Sequence, residues 1–241
     1  MGTDSIVIKG IRGIKELNYP LPSKSGVYLL TGSNGSGKTT LLTALNRLGD
    51  QYAFKNGFKD VMPRESSVTY TIQGEEVSYR KRNERWAPTP KRLSHLFEQY
   101  TYSKTYFLTA TELRFYTTQV EGDRRNSQDV SQEIKEALND VFGTRRFGNL
   151  RYCIVSSMRG RQNRLRRDNK LYFIEETSGM HYTEQSFSLG ERMVLNALDF
   201  LETVESGGML LIDEVELALH PIAQVRFYKL LQREANEKNQ V

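Results

Sequence analysis

Near the start of the chain, "SIVIKGIRGI" mixes apolar and polar residues at the short period of a strand, and "SGVYLLTG" follows as a nearly continuous apolar run. Both predict β-strands, the second ending at Gly32 where a glycine-rich loop opens. From Thr39 the period changes, and Leu41, Leu42, Leu45 and Leu48 recur on one helical face. Residues 67–82, "SVTYTIQGEEVSYRKR", alternate again and break at Gln73-Gly74-Glu75, the pattern of an antiparallel hairpin. "TYFLTA" predicts a further buried strand, and the charged 80s with Pro88 and Pro90 read as a loop.

In the second half, a helix is predicted from Asp129 to Phe142, then strands in "LRYCIVSSM" and "NKLYFIEE" on either side of the arginine-rich turn "RGRQNRLRRDN". "SLGERMVLNALDFLETV" is helical, with Val194, Leu198, Leu201 and Val204 along one stripe, and "GGMLLIDE" is a buried strand. Pro221 opens the last helix, in which Ile222, Val225 and Leu231 are core candidates. No internal repeat is evident.

Composition narrows the class. With 241 residues, 38% hydrophobic and 26% charged, the sequence can bury a sizeable core as a soluble protein. No apolar run approaches the roughly 20 residues of a membrane span. "MGTDSIVIKG" lacks the basic region and long apolar stretch of a secretion signal. Cys153 is the single cysteine, which excludes an intrachain disulfide or a cysteine zinc site within this sequence. A cytoplasmic setting is expected. The net charge of +5 is local: residues 143–170 carry nine Arg and Lys against Asp168, a segment of +8 that leaves −3 for the rest. An arginine-rich stretch of this kind suits a nucleic-acid backbone or an acidic protein, and equally a solvated loop. A second basic cluster, "YRKRNERW", lies in the hairpin region.

"GSNGSGKT" matches G-x-x-x-x-G-K-[ST], with Gly32, Gly37, Lys38 and Thr39 at the fixed positions. Glycines let consecutive backbone N–H groups point at one phosphate group, and the helix that follows presents its positive end. Lys38 can reach the β- and γ-phosphates and the Thr39 hydroxyl can bind Mg²⁺. "MLLIDE" ends an apolar strand in Asp213 and Glu214, carboxylates that are costly there unless a cation or hydrogen bonds compensate. Asp213 fits the acid that holds Mg²⁺ and its water, and Glu214 fits the group that polarises the attacking water. "FSLGE", 25 residues before Asp213, places a serine hydroxyl and free N–H groups at a helix start, a second anion site; Ser188 and Glu191 also complete an S-x-x-E capping box.

Ser188 and Gly190 resemble the Ser and second Gly of the Leu-Ser-Gly-Gly-Gln signature of ABC-type ATPases. From "IVIKGIRGIKELNYPL" through "TGSNGSGKTTLL" and "FSLGERMVL" to "LLIDEVELALHP", the sequence resembles the head domain of the SMC and DNA-repair group, most of all its OLD-like branch in prokaryotic anti-phage defence. The resemblance implies a P-loop NTPase of the ABC-ATPase type: an α/β fold with a mostly parallel core sheet flanked by helices, plus an antiparallel β-subdomain. It implies one head domain, with 1–120 as the P-loop and antiparallel lobe, 121–185 as a helical and basic insert, and 186–241 as the signature and acidic-strand part.

By position, Gly32, Ser33, Asn34, Gly35, Ser36, Gly37, Lys38, Thr39 and Thr40 would bind ATP and its Mg²⁺. Asp213 would join Thr39 at the metal, and Glu214 with Lys38 would be catalytic. Ser188, Gly190 and Glu191 would act on the nucleotide of a second subunit, giving a homodimer or higher homo-oligomer through the ATP sites. Segment 216–221 corresponds to the loop between those sites. A Q-loop glutamine has only Gln99 and Gln119 as candidates. The family carries a further strand ending in a switch histidine. "NEKNQV" falls where that strand would begin and His220 follows Glu214 too closely, so a truncated chain is expected.

The implied function is an ATPase that dimerises on ATP and controls a separately encoded effector such as a nuclease, in anti-phage defence or DNA maintenance. The alternatives are the ATPase subunit of a membrane transporter and a non-catalytic, nucleotide-gated scaffold.

Overall fold

The fold is that of a computed structural model of the chain, described for residues 3–60, 62–82, 85–93, 95–110, 113, 126–154, 170–175, 181–204 and 206–241. In chain order its elements begin with β1 (Ser5–Ile11), β2 (Ile14–Pro20), α1 (Lys38–Asn46), α2 (Ala53–Gly57), β3 (Ser67–Ile72), β4 (Glu75–Arg82), β5 (Arg85–Thr89) and β6 (Lys104–Thr109). They continue with β7 (Gln128–Asp129), α3 (Gln132–Phe142), β8 (Leu150–Ile154), β9 (Lys170–Glu175) and β10 (His181–Thr183). The last are α4 (Leu189–Thr203), β11 (Gly208–Asp213), α5 (Val215–Ala218) and α6 (Pro221–Lys238). No described helix is long and apolar enough to cross a membrane. Two compact units emerge, one of residues 1–108, 200–213 and 231–241, the other of residues 109–199 and 214–230.

The first unit is built on an antiparallel sheet in the order β2-β1-β3-β4-β5. Its alternation works as the sequence predicts: Ile6 and Ile8, Val68 and Tyr70, Val77 and Tyr79 all point to one buried face. The hairpin turns at Gln73 and Gly74, with Ile72 opposite Glu75. Helix α1 buries Leu41, Ala44 and Leu45 in the same core. The Tyr70 hydroxyl donates to the Ala44 carbonyl at 2.7 Å, and burial pushes its pKa well above the usual phenol range.

Strand β5 corrects the loop expected in the 80s. It pairs only with β4 and so forms an edge, where Pro88 removes no ladder hydrogen bond that the sheet needs. A second correction concerns "SGVYLLTG". Residues 27–33 form no regular strand, and Tyr28, Leu29 and Leu30 are 50%, 72% and 39% exposed. Apolar character alone does not make a strand; a hydrogen-bonding neighbour does, and among the described residues β11 pairs with β6 rather than with this segment. The sheet that holds the acidic strand thus has two described strands, short of the broad parallel sheet that the resemblance implies.

The second unit holds an antiparallel sheet in the order β10-β9-β8-β7. Ser131 caps α3 by accepting from the Ile134 N–H, and Gly143 closes the helix, which buries Ile134, Leu138 and Val141. In α4, Val194, Leu198 and Leu201 are buried, as is Val204 just past the helix. In α6 the expected core positions Ile222 and Val225 are 61% and 56% exposed; Ala223, Phe227 and Leu230, spaced four and three residues apart, take the buried stripe instead.

Tyr70→Phe should lower unfolding free energy by about 1 kcal/mol, since it deletes one buried hydrogen bond while Ala44 O keeps the Arg47 N–H. A urea denaturation midpoint equal to that of the parent would contradict this assignment.

Candidate nucleotide-binding site

The loop from Gly32 to Gly37 leads from the exposed segment 27–31 into α1. Gly37 caps the helix at φ 98°, and a Cβ on it would stand 2.5 Å from Ile14 Cδ1, so both its handedness and the approach of β2 demand glycine. Ser33, Asn34, Gly35 and Ser36 are exposed around it. Leu41 N–H bonds to Gly37 O at 3.0 Å. The amides of Lys38, Thr39 and Thr40 precede it and have no carbonyl one turn earlier in the helix. The first turn of α1 therefore offers donors and positive potential to a phosphate group.

The side chains of that turn divide the work. Lys38 Nζ folds back over the loop, donating to Gly32 O at 2.8 Å and Ser33 O at 3.1 Å. Thr39 Oγ1 donates to Asp213 Oδ2 at 2.6 Å, although 174 positions separate them. Thr40 is turned into the core at 2% exposure, so only its backbone faces the loop. Asp213 closes β11 with 9% of its surface exposed. A hydroxyl and a carboxylate oxygen this close are hard donors near the spacing of adjacent ligands around Mg²⁺, whose bonds run about 2.0–2.1 Å. The pair fits that ion.

Glu214, the next residue, adopts φ 57° and ψ 39° at the start of α5. Left-handed backbone at a non-glycine residue is strained, and such strain concentrates at functional positions. The turn swings the chain abruptly out of the buried strand just where the second carboxylate occurs.

The "FSLGE" turn is a complete capping box. Ser188 Oγ accepts from Glu191 N–H at 3.2 Å and Glu191 Oε2 accepts from Ser188 N–H at 2.7 Å. A Cβ on Gly190 would lie 2.5 Å from the Ala218 carbonyl oxygen, so the start of α4 and the end of α5 meet there at backbone distance. Glu191 is 8% exposed and fully engaged, its other oxygen lying 3.1 Å from Arg146 Nη1. It orders the turn. Ser188 and the helix-start amides are what remains for an anion.

A family model described as "AAA domain, putative AbiEii toxin, Type IV TA system" matches residues 27–241, a span that includes the Gly32–Gly37 loop, the "FSLGE" turn and both strand-end carboxylates. The chain belongs to this family. No curated protein matches it. As an AAA-domain protein, it has the α/β fold of a P-loop NTPase.

Sequence reasoning about this AAA-domain protein missed Arg146, which appears in the sequence only as one member of a basic run. Its guanidinium lies 5.4 Å from the Phe147 ring and 5.6 Å from Phe187, holding the signature turn through Glu191. No spacing rule announces it, because 45 residues separate it from Glu191. Other members of the run are also spent internally. Arg151 donates to Ser127 and approaches Asp129 and Glu175, while Lys170 pairs with Asp199 at 2.7 Å. Arg159, Arg161, Arg164, Arg166 and Arg167 lie outside the described residues, as does the Q-loop candidate Gln119; Gln99 is exposed beyond the five-stranded sheet.

Glu214→Gly should raise stability by about 1 kcal/mol by removing the left-handed penalty, even though it deletes a carboxylate. A melting temperature at or below the parent's would refute the strain. Arg146→Ala should cost about 1 kcal/mol, the pair being half exposed on the arginine side, and should speed hydrogen exchange at the Ser188 amide. Unchanged exchange there would remove Arg146 from the turn.

Proposed function

We propose that this AAA-domain protein binds and hydrolyses ATP, closes as an ATP-sandwiched dimer, and uses that cycle to control a separate partner protein in prokaryotic defence. The observation that carries the reading is the 2.6 Å hydrogen bond between Thr39 and Asp213, which joins the phosphate loop to the acidic strand end. A plain glycine turn has no reason to seat its threonine on a buried carboxylate.

In this reading the loop amides and the first turn of α1 bind the β- and γ-phosphates, and Lys38 exchanges its two loop carbonyls for phosphate oxygens. Thr39 and Asp213 would hold Mg²⁺, which would supply positive charge against the phosphates. Glu214 orients a water molecule and accepts its proton as the water oxygen bonds to the γ-phosphorus; the bond to the bridging oxygen breaks, leaving ADP and phosphate. Ser188 and the free amides at the start of α4 face the γ-phosphate held by the second subunit, with Glu191 and Arg146 keeping that turn in shape.

The family's description, a putative toxin of a type IV toxin–antitoxin system, supports a setting in which another protein answers or restrains the ATPase. It favours this over a transporter subunit. The effector, a nuclease among the candidates, is then a separate chain.

Lys38→Ala should weaken ATP binding at least tenfold by calorimetry, which equals about 1.4 kcal/mol. Glu214→Gln should keep ATP binding while hydrolysis falls by about 10²–10⁴, and should shift to dimer mass in light scattering with Mg-ATP. Adding Ser188→Arg to that variant should return it to monomer mass at unchanged ATP affinity. A parent protein with no ATP turnover would leave a nucleotide-gated scaffold; an ATP-loaded Glu214→Gln chain that stays monomeric would end the dimer reading.

A further inference from the structure

The five-stranded sheet has a second, outer face that the nucleotide chemistry leaves unused. Along β4 the sequence "EEVSYRKR" sends Val77 and Tyr79 inward and Glu76, Ser78, Arg80 and Arg82 outward, so that one end of the strand is acidic and the other basic. On β5, Arg85 stands directly opposite Arg82, and Ala87 opposite Arg80. Arg80, Arg82 and Arg85 are all exposed. Among the described residues they form no ion pair, in contrast to Lys9, on the same face opposite Ser67, which is neutralised by Glu16 at 3.0 Å. Ser67 in turn stands opposite Arg80, which continues the row across three strands.

Like charges placed directly opposite one another across an antiparallel pair oppose sheet formation. Arg82 and Arg85 do this where the hairpin closes, and Arg80 adds a third guanidinium two residues along the same face. A solubilising surface disperses its charges and mixes their signs. Here three planar cations gather at one end of a rigid sheet, about 5–7 Å apart at the backbone. Guanidinium forks match phosphate oxygens bidentately. The row is long enough to follow successive phosphates of one strand, and it offers none of the Asn or Gln pairs that read base edges. In the basic run at 143–170, Arg146, Arg151 and Lys170 are committed to carboxylates, while Arg145 is exposed.

We infer that the Arg80–Arg82–Arg85 face binds the phosphodiester backbone of nucleic acid without sequence preference. This is independent of ATP hydrolysis, because none of the three residues belongs to the nucleotide site.

The test is fluorescence anisotropy with a labelled duplex, its single strand and an RNA of the same sequence, titrated with the 241-residue protein between about 50 and 200 mM salt. The triple variant Arg80→Gln, Arg82→Gln, Arg85→Gln should bind the duplex at least tenfold more weakly. Its log–log salt slope should be shallower by about 2–3, close to one per lost phosphate contact. The three-lysine variant should keep the slope, which separates lost charge from lost fold, and melting temperature and ATP binding should match the parent in both. The relative affinities of duplex, single strand and RNA identify which nucleic acid the face prefers. The inference falls if the parent fails to bind any of the three at low salt, or if the glutamine variant binds with parental affinity and slope. It falls equally if polyglutamate or anionic vesicles bind the face as tightly as the duplex, or if the glutamine variant merely self-associates, which would make the arginines guards of the sheet edge.

Discussion

The Gly32–Gly37 loop has few hydrogen bonds of its own, Ser36 N–H to Ser33 O and Lys38 Nζ to the Gly32 and Ser33 carbonyls. Its surroundings supply the rest of its support. Gly37 is pressed against Ile14 of β2, α1 is fastened to the five-stranded sheet by Leu41, Leu45 and the Tyr70–Ala44 hydrogen bond, and Thr39 is tied to the end of β11 through Asp213. Each anchor comes from a different element. The antiparallel sheet, through β2 and the core it shares with α1, supports the six-residue loop.

Three carboxylates illustrate how environment assigns roles. Asp213 is nearly buried and balanced by one hydroxyl, which leaves coordination sites for a cation. Glu191 is nearly as buried, but both of its oxygens are taken, by the Ser188 amide and by Arg146, so it serves as structure. Glu214 sits on a left-handed backbone at the start of α5, partly open, as few non-glycine residues do. Identical chemistry is divided by burial and partners into three different environments.

The charges follow a similar division. The run that dominates the charge of the sequence is consumed in part by the protein itself, with Arg146, Arg151 and Lys170 each facing carboxylates. Among the described residues the arginines of the shorter cluster on β4 and β5 form no ion pair. Pairing depends on which residues the fold brings opposite one another, so charge counted along the chain does not by itself give availability.

Periodicity and motif spacing are enough to locate α1, the β3–β4 hairpin, α3, α4 and the acidic strand β11, since each depends on local rules: a period, a turn or a fixed spacing. The capping box at Ser188 and Glu191 was legible for the same reason. What required tertiary structure was every decision made by a distant neighbour. Residues 27–31 are apolar enough for a strand and form none in the described structure; β5 forms despite Pro88 because it lies on an edge; and Ile222 and Val225 yield the buried stripe to Ala223 and Phe227. Arg146 becomes part of the signature turn only because folding sets it beside Glu191. Local sequence specified the loop, the helix starts and the charged runs; long-range packing decided which of their polar groups are engaged inside the fold, because pairing depends on neighbours far apart in the chain.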